Sequence, residues 1–319
     1  MVTALVAVGS LAGIAPEVQA ADNVKNIIVL VPDGCHTSVF TAARWYKGEP
    51  LHIDRYARGL LGTYMSNSVI TGSAAAATAF ATGHKTTVRF LGVGPRTDDL
   101  LTGYTPTAKV PYGPIASVLE GAKMMGKATG LVATSRITHA TPAAYAVHIH
   151  DRGMDNEIME HMVYNNVDAV FGGAKRHLLT TDQGGKRTDG EDLHQVLLDR
   201  GYQWVETRDD MLALSSGRAW GLFQASHMNP DIDRSEFAPH EPSLAEMTAK
   251  AIELLSQDPD GFFLMVEASQ IDWAGHNNDP IYMITDTLAF DEAWHVAQQF
   301  AEQDGNTMVV AFPDHNTGA

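Results

Sequence analysis

Short apolar runs that alternate with helical stretches, most of them closed by a turn, constrain this chain more than any other feature. KNIIVLVPDG (residues 25–34) is apolar, β-branched and ended by a turn, and reads as a buried strand. KATGLVATS, VDAVFGG, GFFLMVEAS and TMVVAFPD read the same way, and YQWVE is a further extended piece. Helical patterns fall between them at residues 73–82, 114–125, 155–165, 193–200, 243–256 and 279–303. In the 243–256 stretch Leu244, Met247, Ile252 and Leu255 share one face. Residues 85–113 read as a long, weakly structured loop. This alternation predicts an α/β fold: an open, doubly wound, mostly parallel central sheet with helices on both faces. No internal repeat or low-complexity linker interrupts it, so residues 21–319 are expected to form a single domain.

A hydrophobic content of 45% is enough for a large core. The net charge of −16, from 38 acidic and 22 basic residues, is the wrong sign for a nucleic-acid binder. It also repels anionic substrates unless bound cations reverse the field locally. Residues 1–20 read as a signal peptide, with Val18-Gln19-Ala20 before the cleavage point, although the usual basic start is missing. The expected location is therefore periplasmic or secreted. No later apolar run is long enough to span a membrane. Cys35 is the only cysteine, so no internal disulfide can form, and stability outside the cytoplasm must come from packing and metal.

Polar residues at the carboxyl ends of parallel strands are where chemistry is expected. Asp33 follows the first strand, Glu267 ends FFLMVE, and Asp314 and His315 follow the last strand. Asp272 and His276 are four apart, so one helical turn places them on the same side. Carboxylates and imidazoles are zinc-type ligands. A single Asp after a strand is an ordinary turn former, but several strand ends delivering such ligands together point to metal. In TSRITHATPAAYAVHIHDR, Thr141 precedes Pro142 and is pushed away from helix. Its hydroxyl suits either a hard cation or a simple turn. Arg152 suits either two phosphate oxygens or a neighbouring Asp. Ser73, in VITGSAAAATAFATG, is either a helix cap or a nucleophile at the positive end of a helix dipole. The GHKT at residues 83–86 is not a nucleotide phosphate loop, because His84 separates the glycine from the lysine.

Seven segments together carry a family resemblance. VPDG, GSAAAATAFATG, THATPAA with Arg152 eleven residues after Thr141, GGAK, LFQASHM, VEASQIDWAGHNND and PDHNTG resemble the alkaline phosphatase family in order and spacing. The resemblance implies a large doubly wound sheet with extra loops. It implies hydrolysis of a broad range of phosphate monoesters through a phosphoserine, with two Zn²⁺ and one Mg²⁺. Ser73 resembles the nucleophile and Arg152 the phosphate clamp. Asp33, Asp314 and His315 resemble the ligands of the zinc beside the serine, and Asp272 and His276 two ligands of the other zinc. Thr141 and Glu267, with Asp33 bridging, resemble the magnesium site. Small phosphate monoesters and inorganic phosphate are the implied ligands, and a homodimer the implied assembly.

The pattern also departs from the family. Gly72 stands where the family usually has an Asp paired with the arginine. His139 and Trp273 vary together in the family and are expected beside the third metal, His139 touching it through water. The chain stops at Ala319, four residues after His315, and lacks a later histidine ligand, so a C-terminally incomplete domain is expected. A diesterase or sulfatase of the same superfamily, and a metal- or phosphate-binding fragment without turnover, stay open as alternatives.

Overall fold

Seven strands pair in parallel in the computed structural model, which describes residues 24–317. They are β1 (Asn26–Pro32), β2 (Ala128–Arg136), β3 (Ala169–Gly173), β4 (Gln203–Val205), β5 (Ala219–Gln224), β6 (Phe262–Ala268) and β7 (Thr307–Ala311). Their order across the sheet is β4-β5-β3-β2-β6-β1-β7. The helices are α1 (Thr37–Lys47), α2 (Ser73–Thr82), α3 (Val118–Met124), α4 (Ala140–Ala143), α5 (Asp155–Tyr164) and α6 (Leu193–Asp199). They continue with α7 (Arg208–Ala213), α8 (Asp231–Phe237), α9 (Leu244–Leu255), α10 (Gln270–His276) and α11 (Pro280–Asp304). The parallel α/β sheet expected from the sequence is the one observed. The signal peptide expected at residues 1–20 lies outside the described residues.

Successive strand residues serve opposite faces. In β1, Val29 and Val31 join one core with α2, α3, α5 and α6, whereas Ile28 and Leu30 join a second core with α1, α9 and α11. In β6, Phe263 and Met265 go to the first core, and Leu264 and Val266 to the second. Near-continuous apolar runs are what a sheet covered on both faces requires.

The sequence reading missed β5 and several helices, among them α1, α7 and α8. β5 (AWGLFQ) is short and broken by a glycine, and α1 buries only Val39 and Ala43, too narrow an apolar stripe to show a period. The helix expected over 114–125 begins later, at Val118. There Ser117 accepts from the Glu120 N–H and the Glu120 carboxylate accepts from the Ser117 N–H. Residues 85–113 are irregular, as expected, but not loose. Leu91 and Val93 are buried and bridge to Ile149 and Pro114. Among the described residues no helix is long and apolar enough to cross a membrane.

Candidate functional site

All seven strands point the same way, so their carboxyl ends share one rim. Four adjacent strands, β2, β6, β1 and β7, supply the functional side chains there. Asp33 continues the alternation of Val29 and Val31, and Glu267 that of Phe263 and Met265. Both therefore belong to the face covered by α2 and α4, the helices that carry Ser73 and Thr141. Those two helices meet through Ala74, Ala77, Ala140 and Ala143, and small side chains allow the close approach. Thr141, expected outside helix because of Pro142, instead lies within the single turn of α4. Proline is tolerated there because the first turn of a helix needs no intrahelical N–H donor.

Ser73 is the first residue of α2, and Gly72 is the extended N-cap (φ −124°, ψ 166°), with no side-chain capping bond. The serine hydroxyl is thus not consumed as a cap. It lies 3.3 Å from His315 Nε2, at the end of the helix where backbone N–H groups lack intrahelical acceptors. The other ring nitrogen, His315 Nδ1, is 3.3 Å from the Asn316 carbonyl oxygen. A carbonyl only accepts, so Nδ1 is the ring nitrogen that donates there. Nε2 faces Asp314 Oδ2 at 3.3 Å and Asp33 Oδ1 at 3.6 Å. Both carboxylate oxygens are buried without a hydrogen-bond partner among the described residues, as is Glu267 Oε1.

Carboxylates buried this close together repel one another when ionised. Asp33 is fully buried, and burial, followed by the charges of Asp314, Asp272 and Glu267, holds its carboxyl well above the usual carboxylate range. Burial likewise raises Glu267, against hydrogen bonds that stabilise its charge. At this rim two donor groups have the compactness that a cation needs: Asp33 with Asp314 and His315, and Asp33 with His139 and Glu267. Orphaned carboxylate oxygens beside an imidazole nitrogen suit a divalent ion, so the residues present fit the metals that the sequence implied.

The remaining expected ligands are placed less tightly. Thr141 Oγ1 is 3.5 Å from Asp33 Oδ2. Asp272 is buried on α10 and His276 is exposed, with His276 Nε2 3.5 Å from Asp272 Oδ1. Among the described residues this pair belongs to no group of three metal-type donors. Arg152 Nη2 donates to His139 Nε2 at 2.7 Å. A guanidinium cannot accept, so the Nε2 lone pair of His139 is turned toward Arg152. Burial, and then the charge of Arg152, keep His139 far below the usual histidine range, hence neutral. Its ring stands edge-on to Trp273, with centroids 5.7 Å apart.

Sequence reasoning missed three supporting residues. Ser135 Oγ donates to Glu267 Oε2 at 3.1 Å. The Thr317 hydroxyl donates to Asp272 and lies 3.3 Å from His315 Nδ1, tying α10 to the segment after β7. His227 packs against Trp273, with ring centroids 4.2 Å apart. Thr317 and His227 lay inside quoted motifs, so their signal was present without a role attached. Gly34 shows how tight this corner is. Its φ of +68° is left-handed, and an added Cβ would sit 2.5 Å from Thr317 Oγ1 and 2.8 Å from Asp272 Cα. Gly34→Ala is expected to cost about 1–3 kcal/mol, read as a lower urea midpoint at an unchanged slope.

The alkaline phosphatase family model matches residues 24–319. The chain belongs to the alkaline phosphatase family. Among curated relatives, alkaline phosphatase 3 of Bacillus subtilis is 39% identical over 312 residues, covering 93% of this chain. The chain spans 62% of that relative's length. Among solved structures, the Thermus thermophilus alkaline phosphatase aligns with a TM-score of 0.82 at 32% identity, covering 92% of this chain and 60% of its own. A mutant of the alkaline phosphatase from the Antarctic bacterium TAB5, described with Mg bound in the M3 site, aligns with a TM-score of 0.79 at 32% identity. That alignment covers 92% of this chain and 79% of the TAB5 chain. The family's fold is thus the fold expected from the motifs.

Proposed function

We propose that this site hydrolyses phosphate monoesters of many kinds, with Ser73 as the nucleophile, in a protein exported from the cytoplasm. The observation that carries the reading is the uncapped Ser73 hydroxyl at the start of α2, 3.3 Å from His315 Nε2, which also faces two orphaned carboxylate oxygens. Asp33, Asp314 and His315 would hold one zinc, Asp272 and His276 part of a second, and Asp33, Thr141 and Glu267 a magnesium. When bound, such ions neutralise the carboxylates, stabilise a serine alkoxide and lower the pKa of water.

The chain's own groups account for the rest. The first-turn N–H groups of α2 receive the phosphate oxygens beside the Ser73 hydroxyl. Arg152, held by His139, offers its planar fork to two of those oxygens. In the first step the Ser73 Oγ–P bond forms as the ester P–O bond breaks, and the leaving alkoxide gains a proton. In the second, a water oxygen bonds to phosphorus, the Oγ–P bond breaks, and serine regains its proton. The lone pair that His139 gives to Arg152 supports a role for this histidine outside the metal's direct ligands. The test is release of p-nitrophenol from p-nitrophenyl phosphate compared with its diester and sulfate analogues. Turnover restricted to the monoester supports the reading, and equal rates on all three would remove it.

Gly72 supplies a separate check. A Cβ there meets nothing within 4 Å, so Asp fits without displacing a neighbour. Gly72→Asp is expected to firm up Arg152 and lower the inhibition constant for inorganic phosphate by roughly threefold to tenfold. Equal product inhibition in both proteins would count against the pairing.

A further inference from the structure

Immediately after Arg152 the chain turns through Gly153 into α5, and beside this turn lies an open cleft of about 520 Å³. Gly153, Asp155 and Asn156 line it together with Arg176, His177 and Lys186. The neighbouring ion pairs are Arg136 with Asp155, Lys175 with Glu206, and the buried Arg187 with Glu160, Asp189 and Glu191. Arg176 and Lys186 take part in no ion pair among the described residues. The Asp155 carboxylate is already engaged by Arg136 Nε at 3.1 Å and by the Thr138 hydroxyl. Glu157, exposed at the same cleft, is the one remaining acid, so cations are in excess there.

The Arg176 side chain is also held in place. His177 is 6% exposed. Its Nδ1–H donates to Asn156 Oδ1 at 2.7 Å, and its Nε2 accepts from Arg176 Nε at 3.0 Å. Asn156 Nδ2 donates to the Lys186 carbonyl at 3.0 Å, and the Lys186 N–H donates to the Arg176 carbonyl at 2.7 Å. These bonds fix the guanidinium through its Nε alone and tie the Lys186 backbone to that of Arg176. Ala174, just before the turn that carries Arg176, has a left-handed φ of 94°, a conformation that a non-glycine residue keeps only where its surroundings impose it. Burial foremost, with Arg176 adding to it against the pull of Asp155, pushes His177 down to about 4, so the ring stays neutral and this bonding pattern persists. A guanidinium fork beside an ammonium is the donor set for a phosphate.

We infer that this cleft is a second anion subsite, which takes the distal phosphate of a substrate whose leaving group carries one. The inference rests on the phosphomonoesterase reading for its chemistry but not for its binding. It is tested on the full chain with hexyl phosphate and hexane-1,6-diyl bisphosphate, measuring both hydrolysis and calorimetric affinity. Wild type is expected to bind and cleave the bisphosphate in preference. In R176A/K186A the affinity and kcat/KM for the bisphosphate are expected to fall about tenfold, while those for hexyl phosphate stay within about twofold. Lys186→Glu, at an exposed position, is expected to act in the same direction. If neither ester is cleaved but the binding preference exists and is lost in the variants, the hydrolytic reading fails and the subsite stands. A preference that is absent in wild type, or unchanged in both variants, overturns the subsite whatever the activity.

Discussion

Ser73→Ala is expected to lower kcat/KM for p-nitrophenyl phosphate by on the order of 10⁴-fold and to abolish the acid-stable phosphoserine trapped from labelled substrate. The melting temperature is expected to move by less than about 2 °C. The hydroxyl has one side-chain contact, to His315 Nε2, and no capping bond to lose. Alanine also continues the small-residue surface that α2 already presents to α4. A loss of activity at constant stability therefore reports on chemistry alone. Activity within tenfold of wild type, with label still on the protein, would place the nucleophile elsewhere.

The second large effect is on stability. Adding Zn²⁺ to chelator-treated protein is expected to raise the melting temperature by roughly 5 °C or more. A ligand at 1,000 times its dissociation constant contributes about 4.1 kcal/mol, and a kilocalorie moves the melting point of a chain this large by about 1.5 °C. Asp33→Asn separates cause from coincidence. Asp33 belongs to both compact donor groups and is buried among the charges of Asp314, Asp272 and Glu267. Removing its charge is expected to raise the melting temperature in chelator, because burying like charges together is unfavourable. The same variant is expected to lose most of the response to Zn²⁺. Wild-type stability in chelator together with a wild-type zinc response would show that these carboxylates do not form the cation site.

Much of this was legible in the sequence, for identifiable reasons. β1 and β6 are unbroken apolar runs because both faces of the sheet are covered, and each carries a buried acid at or just past its carboxyl end. α2 was legible because alanine and a closing Gly83 leave little else for that stretch to be. α1 and β5 were not, since α1 buries too few residues to reveal a period and the glycine in β5 makes room for Phe171 and Phe223. Thr141 was misplaced because the restriction before proline is weaker than the demand of a helical turn packed on α2. The motifs named the site residues but not what positions them. Ser135, Thr317 and His227 act through contacts between segments as far apart as residues 135 and 267, and such pairings leave no local pattern.

The place of β1 in the sheet has a consequence for biosynthesis. Residues 26–32 emerge from the ribosome early, yet they pair with residues 262–268 on one edge and 307–311 on the other. Until both late strands are made, an apolar β1 waits with two open edges, the state most exposed to aggregation and most in need of a holding chaperone. A nascent chain arrested before residue 262 is therefore expected to be degraded or captured, and arrest beyond residue 311 is where protease resistance should first appear.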